Sequence, residues 1–177
     1  MEPNRLDGRM KELFDIVTSL LDVDGSCRDV TFEDPNWNGV ADLIRSLQAA
    51  FPDCSASDQE VGALTGPLAE FVSKAVRERG CALIEFGGGP GIIKRLLLQV
   101  FVEEDDGSPF VELSFFPEDV EPTQELRRDF IEWADTMQRL LRARRYYARY
   151  ENASWQFGDI SSNRGVFLLS DELDPSV

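Results

Sequence analysis

Apolar residues alternate with polar ones in two distinct rhythms along the chain. Leu6, Met10, Leu13, Phe14, Val17, Leu20 and Leu21 recur at spacings of three and four, which predicts a helix from about Asp7 to Val23 with one buried face. Asp7 is placed to cap its start, and Asp24-Gly25 supplies a stop. CRDVTFED then alternates through Cys27, Val30 and Phe32, as a strand or extended connector does. Asp34-Pro35 offers a cap and a first-turn proline for a second helix that carries Val40, Leu43, Ile44, Leu47 and Phe51 on one side and stops at Pro52. PDCSASDQEVGALTG is rich in turn formers and is expected to connect. Leu68, Phe71, Val72, Ala75 and Val76 predict a third helix that ends at Gly80, with Pro67 in its first turn.

CALIEF is apolar on nearly both faces, so a central strand is expected there. IIKRLLLQVFVEE favours a long strand, and FVELSFF returns as its hairpin partner through EDDGSP. In that hairpin Leu96, Leu98, Val100 and Val102 pair inward with Val111, Leu113 and Phe115. The alternates Arg95, Gln99, Glu103, Glu112 and Ser114 are polar, although Leu97 and Phe101 interrupt them. That mixture implies partial cover of the second side, by a helix, or else a binding surface.

After PEDVEPTQ, with Thr123 as the expected cap, Leu126, Phe130, Trp133, Met137, Leu140 and Leu141 form the clearest amphipathic stripe. Arg128 with Glu132 and Asp135 with Arg139 have pairing distance on its outer side. YYARY, WQFGD and GVFLLS read as short strands, and DELDPSV as a polar tail from about residue 171. The order predicts one α+β domain over residues 1–177, a mixed or largely antiparallel sheet packed against several helices.

Composition narrows the function. Thirty-three acidic against eighteen basic side chains give a net charge of −15, which repels nucleic acid and favours a basic partner. No apolar run approaches a membrane span, and MEPNRLDGRMKELFD lacks the apolar core of a signal peptide, so a cytoplasmic location is expected. Cys27, Cys54 and Cys81 stand singly, which fits small buried apolar residues better than a zinc site. The chain has no histidine. Ser-His-Asp and Cys-His chemistry and histidine-ligated metals are thereby excluded.

LIEFGGGPG, residues 83–91, has a superficial likeness to the donor-binding loop of class I methyltransferases, with Glu85 as the acidic end of a strand and Gly87, Gly88, Gly89 and Gly91 allowing close approach. A phosphate-binding loop requires a helix immediately after it, whereas IIKRLLLQVFV favours a strand, and Lys94-Arg95 lacks the following Ser or Thr. A turn or bulge is the expected role, with no cofactor. DVDG lacks the remaining ligands of a calcium loop, and no metal site is expected. Residues 127–149 hold seven arginines against Asp129, Glu132 and Asp135, a net +4. Arginine stems covering Tyr146, Tyr147 and Tyr150 and pairing with loop carboxylates explain this better than RNA contacts.

EEDD, PEDVE and SDELD, the single-domain length and the missing catalytic set make the chain resemble the diverse acidic immunity proteins of bacterial toxin systems. The resemblance implies a small cytosolic inhibitor that occludes a cognate toxin, with no catalytic residues of its own. The partner is then a basic protein rather than nucleic acid or a membrane, and a homodimer is compatible with that role. Glu103, Glu104, Asp105, Asp106, Glu118, Asp119 and Glu121 are the expected partner-binding charges, with Phe110 and Phe116 as apolar anchors and Trp37 or Trp155 nearby. Two alternatives stand beside it. One is a small-ligand or methyl-donor enzyme centred on Glu85 and the glycine loop, with Glu112 or Tyr146 nearby. The other is a secretion chaperone or adaptor.

Overall fold

The computed structural model describes residues 16–56, 67–103, 105–151 and 165–172. Their secondary structure begins with a helix over residues 16–21 (α1), followed by β1 (Arg28–Glu33), α2 (Trp37–Ala50), β2 (Asp53–Ala56), α3 (Leu68–Arg79), β3 (Cys81–Gly87), β4 (Arg95–Val102), β5 (Pro109–Phe115), α4 (Leu126–Leu141), β6 (Arg145–Tyr150) and β7 (Val166–Leu169). The strands form one seven-stranded sheet in the order β2-β3-β4-β5-β1-β6-β7, and every pairing is antiparallel. This is an α+β fold, as the element order predicts.

The helices bury their apolar faces together with one side of the sheet. Ile16 and Leu20 of α1, Leu43, Ile44 and Leu47 of α2, Leu68 and Val72 of α3, and Phe130 and Leu141 of α4 join Val30, Phe32, Ile84, Leu98, Val100, Val111 and Leu113 in a single core. The predicted hairpin register holds, since Leu98 faces Leu113 and Val100 faces Val111. Phe115, Phe130 and Trp133 complete an aromatic cluster in which the Phe130 and Trp133 rings stack at 5.6 Å.

Several local expectations are corrected. The N-cap of α2 is Asn36, whose side chain accepts from Gly39 N at 2.8 Å, and Asp34 instead adopts a left-handed turn at φ 53°. Part of the segment expected to be a pure connection is strand β2, a short edge strand whose polar alternation hid it. Strand β3 buries only Ala82, Ile84 and Phe86, and Glu85 is exposed, so it is one-sided. Thr123 does not cap α4, which starts after Glu125; its hydroxyl donates to Asp129 Oδ2 at 2.7 Å in the first turn. On α4 Arg128 pairs with Glu132 at 3.8 Å, whereas Asp135 accepts from the Tyr146 hydroxyl at 2.8 Å and Arg139 turns to Thr136. The amino-terminal part of the first helix, the WQFGD strand and the last five residues lie outside the described residues.

Arg28 is fully buried on the helix side of β1 and ties the end of α1 to the sheet. Its guanidinium donates to the carbonyls of Ser19 (2.5 Å), Asp22 (2.6 Å) and Ser26 (2.9 Å), pairs with Asp24 at 3.2 Å and lies 4.0 Å over the Tyr150 ring. A cation at the last carbonyls of a helix satisfies acceptors that have no intrahelical donor.

Candidate functional site

The candidate site lies on the sheet face turned away from the core. Because side chains alternate along a strand, residues two apart on β1, β4, β5 and β6 line up in rows across the sheet. One row runs Arg149, Asp29, Ser114, Leu97, Glu85. The adjacent row runs Tyr147, Thr31, Glu112, Gln99, Leu83. Neither row continues the apolar core pattern, and the described helices pack on the opposite side.

Asp29, Thr31, Glu112, Ser114 and Arg149 are buried and, with the half-buried Gln99, bonded to one another, while Glu85 at the end of its row is exposed. Ser114 Oγ donates to Asp29 Oδ1 at 2.7 Å, Thr31 Oγ1 donates to Glu112 Oε2 at 2.8 Å, and Gln99 Nε2 donates to Ser114 Oγ at 3.0 Å. Arg149 Nη2 lies 3.2 Å from both Asp29 Oδ2 and Glu112 Oε2. Burial pushes the Glu112 carboxyl above its ordinary value and Asp29 adds to the rise, against the pull of Thr31 and Arg149. At the edge of the network the Cys27 thiol is driven up by burial and by the carboxylates of Asp29 and Glu151. It is therefore held as a thiol, unlike a nucleophilic cysteine.

The network floors a cleft of about 510 Å³, whose walls include Cys27, Glu85, Arg95, Phe116, Asp119 and Glu151. Burial raises the Asp119 carboxyl, Arg95 opposes that, and Glu118 adds to it. The expected helical cover of this side of the hairpin is absent among the described residues. In its place stands the hydrogen-bonded network, which satisfies the polar atoms of Glu112 and Ser114 that are buried there.

The residues expected to bind a partner fall into two groups at opposite ends of the β4–β5 hairpin. At the turn, Glu103 N donates to Ser108 O and Asp106 accepts from Ser108 N at 2.8 Å. The Glu103 carboxyl is raised by burial and by Asp106, Asp34 and Asp105, a crowd of like charges. Trp37, 38% exposed, hydrogen-bonds Gly107 O at 3.1 Å and so stands beside this acidic turn. Glu104 and Trp155 lie outside the described residues. At the other end Phe116 is 49% exposed, Glu118 is exposed, Asp119 faces the cleft, and Glu121 pairs with Lys94 at 3.5 Å. Phe110 is half-buried on the strand itself and packs against Phe101 at 6.1 Å.

The glycine loop joins two antiparallel strands, so it does not lead into a helix N-terminus. Gly88 has φ 72°, and a methyl group on Gly89 would run into the Phe51 ring. It borders a shallow depression of about 530 Å³ with Asp53, Ser55, Glu85 and Arg95 on its walls. Glu85 and Glu112 do share the polar cleft, but Tyr146 is buried on the helix side against Asp135. Among the described residues no group of three or more Cys, Asp or Glu is arranged to hold a metal ion. None of their helices is long and apolar enough to cross a membrane.

Arg128, Arg142, Arg144, Arg145 and Arg149 of the arginine-rich segment are committed to ion pairs within the fold. Arg142 pairs with Asp42 at 2.9 Å, Arg144 with Glu33 and Asp34 at 2.8 Å each, and Arg145 with Glu33 at 2.5 Å and Asp171 at 3.2 Å. The polar tail thus starts tethered, with Ser170 Oγ also accepting from Tyr146 N at 3.0 Å. The three cysteines are free and half-buried.

The buried polar network was the feature that pattern reading missed. Its signal was present in the alternation of Asp29 and Thr31 with Val30 and Phe32, matched by Glu112 and Ser114 on β5. What assembles it is the insertion of β1 between β5 and β6, a long-range pairing with no local cue.

No protein-family model matches the chain, and no curated protein matches it. Among solved structures it is similar to a chain from the crystal structure of the toxic C-terminal tip of CdiA from Pseudomonas aeruginosa in complex with immune protein. The likeness has a TM-score of 0.52 at 17% identity and covers 86% of this chain and 99% of that one. At that identity it is a likeness of fold.

Proposed function

We propose that the protein is an acidic binding module of the immunity type, which occludes a basic toxin or effector protein. The observation that carries this reading is the distribution of committed and uncommitted charge. Arg142, Arg144, Arg145 and Arg149 are held in internal ion pairs, while the acidic turn with Trp37 and the Phe116 end of the hairpin present carboxylates beside exposed aromatic rings. Aromatic anchors rimmed by charge are the usual makings of a specific protein interface. The fold likeness to a chain from a toxin–immune protein complex supports the same reading. A methyl-donor enzyme has less support, because the glycine loop turns between two strands.

The test is protection. The chain is used to capture partners from the cells that make it, and the recovered basic protein is then expressed with and without this chain. Growth arrest by the partner alone and rescue by co-expression are expected. Capture of acidic proteins only, or toxicity unchanged by co-expression, would overturn the proposal.

A further inference from the structure

We infer that the polar cleft is the anchor point of the complex and takes the guanidinium of an arginine presented by the partner. This deepens the protein-binding reading and rests on it. The cleft is lined by the carboxylates of Asp29, Glu85, Glu112, Asp119 and Glu151 against the guanidiniums of Arg95 and Arg149. On its floor a single Arg149 nitrogen serves both Asp29 and Glu112, so two buried carboxylates share one cation. Among the described lining residues five carboxyl groups thus face two guanidiniums, the opposite of what a phosphate or carboxylate ligand requires.

Shape and rigidity add to the charge. The floor spans β1, β4, β5 and β6 and is fixed by side-chain hydrogen bonds between strands, so its acceptors are held before any ligand arrives. A volume of about 510 Å³ admits a long side chain together with water. Glu85, Asp119 and Glu151 line the cleft beside that network, and Phe116, 49% exposed, offers it an aromatic ring. An arginine fits this arrangement better than a lysine. Its planar fork meets two carboxylates at once and stacks on an aromatic face, whereas an ammonium is a compact charge that gives up water reluctantly.

The probe is a capped Gly-Arg-Gly peptide followed by amide NMR on the full chain, with the isosteric and uncharged Gly-citrulline-Gly peptide as its control. The arginine peptide is expected to shift the signals of Leu97, Gln99, Glu112 and Ser114, including the Gln99 side-chain amide, and the citrulline peptide to leave them in place. In the E85Q/D119N double variant binding is expected to weaken about fivefold, within the range for two partly exposed charge contacts. Equal shifts with both peptides, or undiminished binding in the double variant, would overturn the inference. Shifts confined to residues 105–108 and the Trp37 indole would overturn it and leave the acidic-module reading standing. No shift anywhere with the arginine peptide, together with failure to protect against any captured protein, would remove both.

Discussion

Arg149 Nη2 lies 3.2 Å from Glu112 Oε2, although their strands, β6 and β5, are separated in the sheet by β1. The guanidinium reaches across the intervening strand and meets Asp29 of β1 on the way. Truncation of this side chain would leave two buried carboxylates with no cation between them. Arg149→Met is accordingly expected to destabilise the protein by about 3 to 5 kcal/mol. Urea unfolding with an unchanged slope would measure it, and a loss below about 1 kcal/mol would show that the network tolerates its own charge.

Glu112 gives that network a pH dependence. Its carboxyl is raised from an ordinary 4.5, chiefly by burial, so the folded protein holds the proton more tightly than the unfolded chain. The stabilisation is complete below the unfolded value and is lost as pH rises through the folded one. Relative to E112Q, the native protein is therefore expected to lose stability as pH rises from 4.5 upward. Thermal unfolding of both proteins across that range checks the sign, and a difference that does not change with pH would contradict it.

Asp24 acts in the opposite direction. Hydrogen bonds from the Ser26 backbone and hydroxyl, with a further contribution from Arg28, hold its carboxyl at about 2 instead of 3.8. Its contribution is present above pH 3.8 and lost as pH falls toward 2. D24N is expected to show a shallower decline of melting temperature than the native protein within that window. Identical acid profiles would mean that the turn before β1 adds nothing to acid stability.

The glycines of the loop after β3 are predicted to differ sharply from one another. A Cβ on Gly89 would strike the Phe51 ring and lie 2.9 Å from Ile93 O, whereas one on Gly91 meets nothing within 4 Å. Gly89→Ala should cost about 1 to 3 kcal/mol. Gly91→Ala should be neutral or slightly stabilising. Gly39→Ala is also expected to be damaging, since its Cβ would collide with the Leu141 backbone where α2 crosses α4. Melting temperatures of the three variants decide whether the loop is held by packing. Equal tolerance at positions 89 and 91 would argue for a mobile ligand loop.

The helices and the β4–β5 hairpin were legible because their apolar spacing is local and strong, as in Leu126, Phe130 and Met137 on α4. Strand β2 was not, because the inward residues of DCSA are only the small Cys54 and Ala56, and the strand owes its conformation to pairing, with Ser55 opposite Glu85 and Cys54 opposite Phe86. The candidate site was legible only at its rim. Phe116 and Asp119 stood out as an exposed aromatic beside an acid, but the floor depends on Asp29, Glu112 and Arg149, which meet only when residues more than eighty positions apart pair in the sheet. Internal neutralisation of the arginine segment was readable from composition, since so many acids were available to partner it.

The central claim is that a negatively charged surface of this protein meets a positively charged protein. Stopped-flow association with the captured partner, measured from low to physiological salt, tests it most directly. The rate is expected to fall by about tenfold or more as salt rises, and to fall again at low salt when Asp105, Asp106 and Glu118 are changed to lysine. An association rate indifferent to both salt and charge reversal would contradict the account.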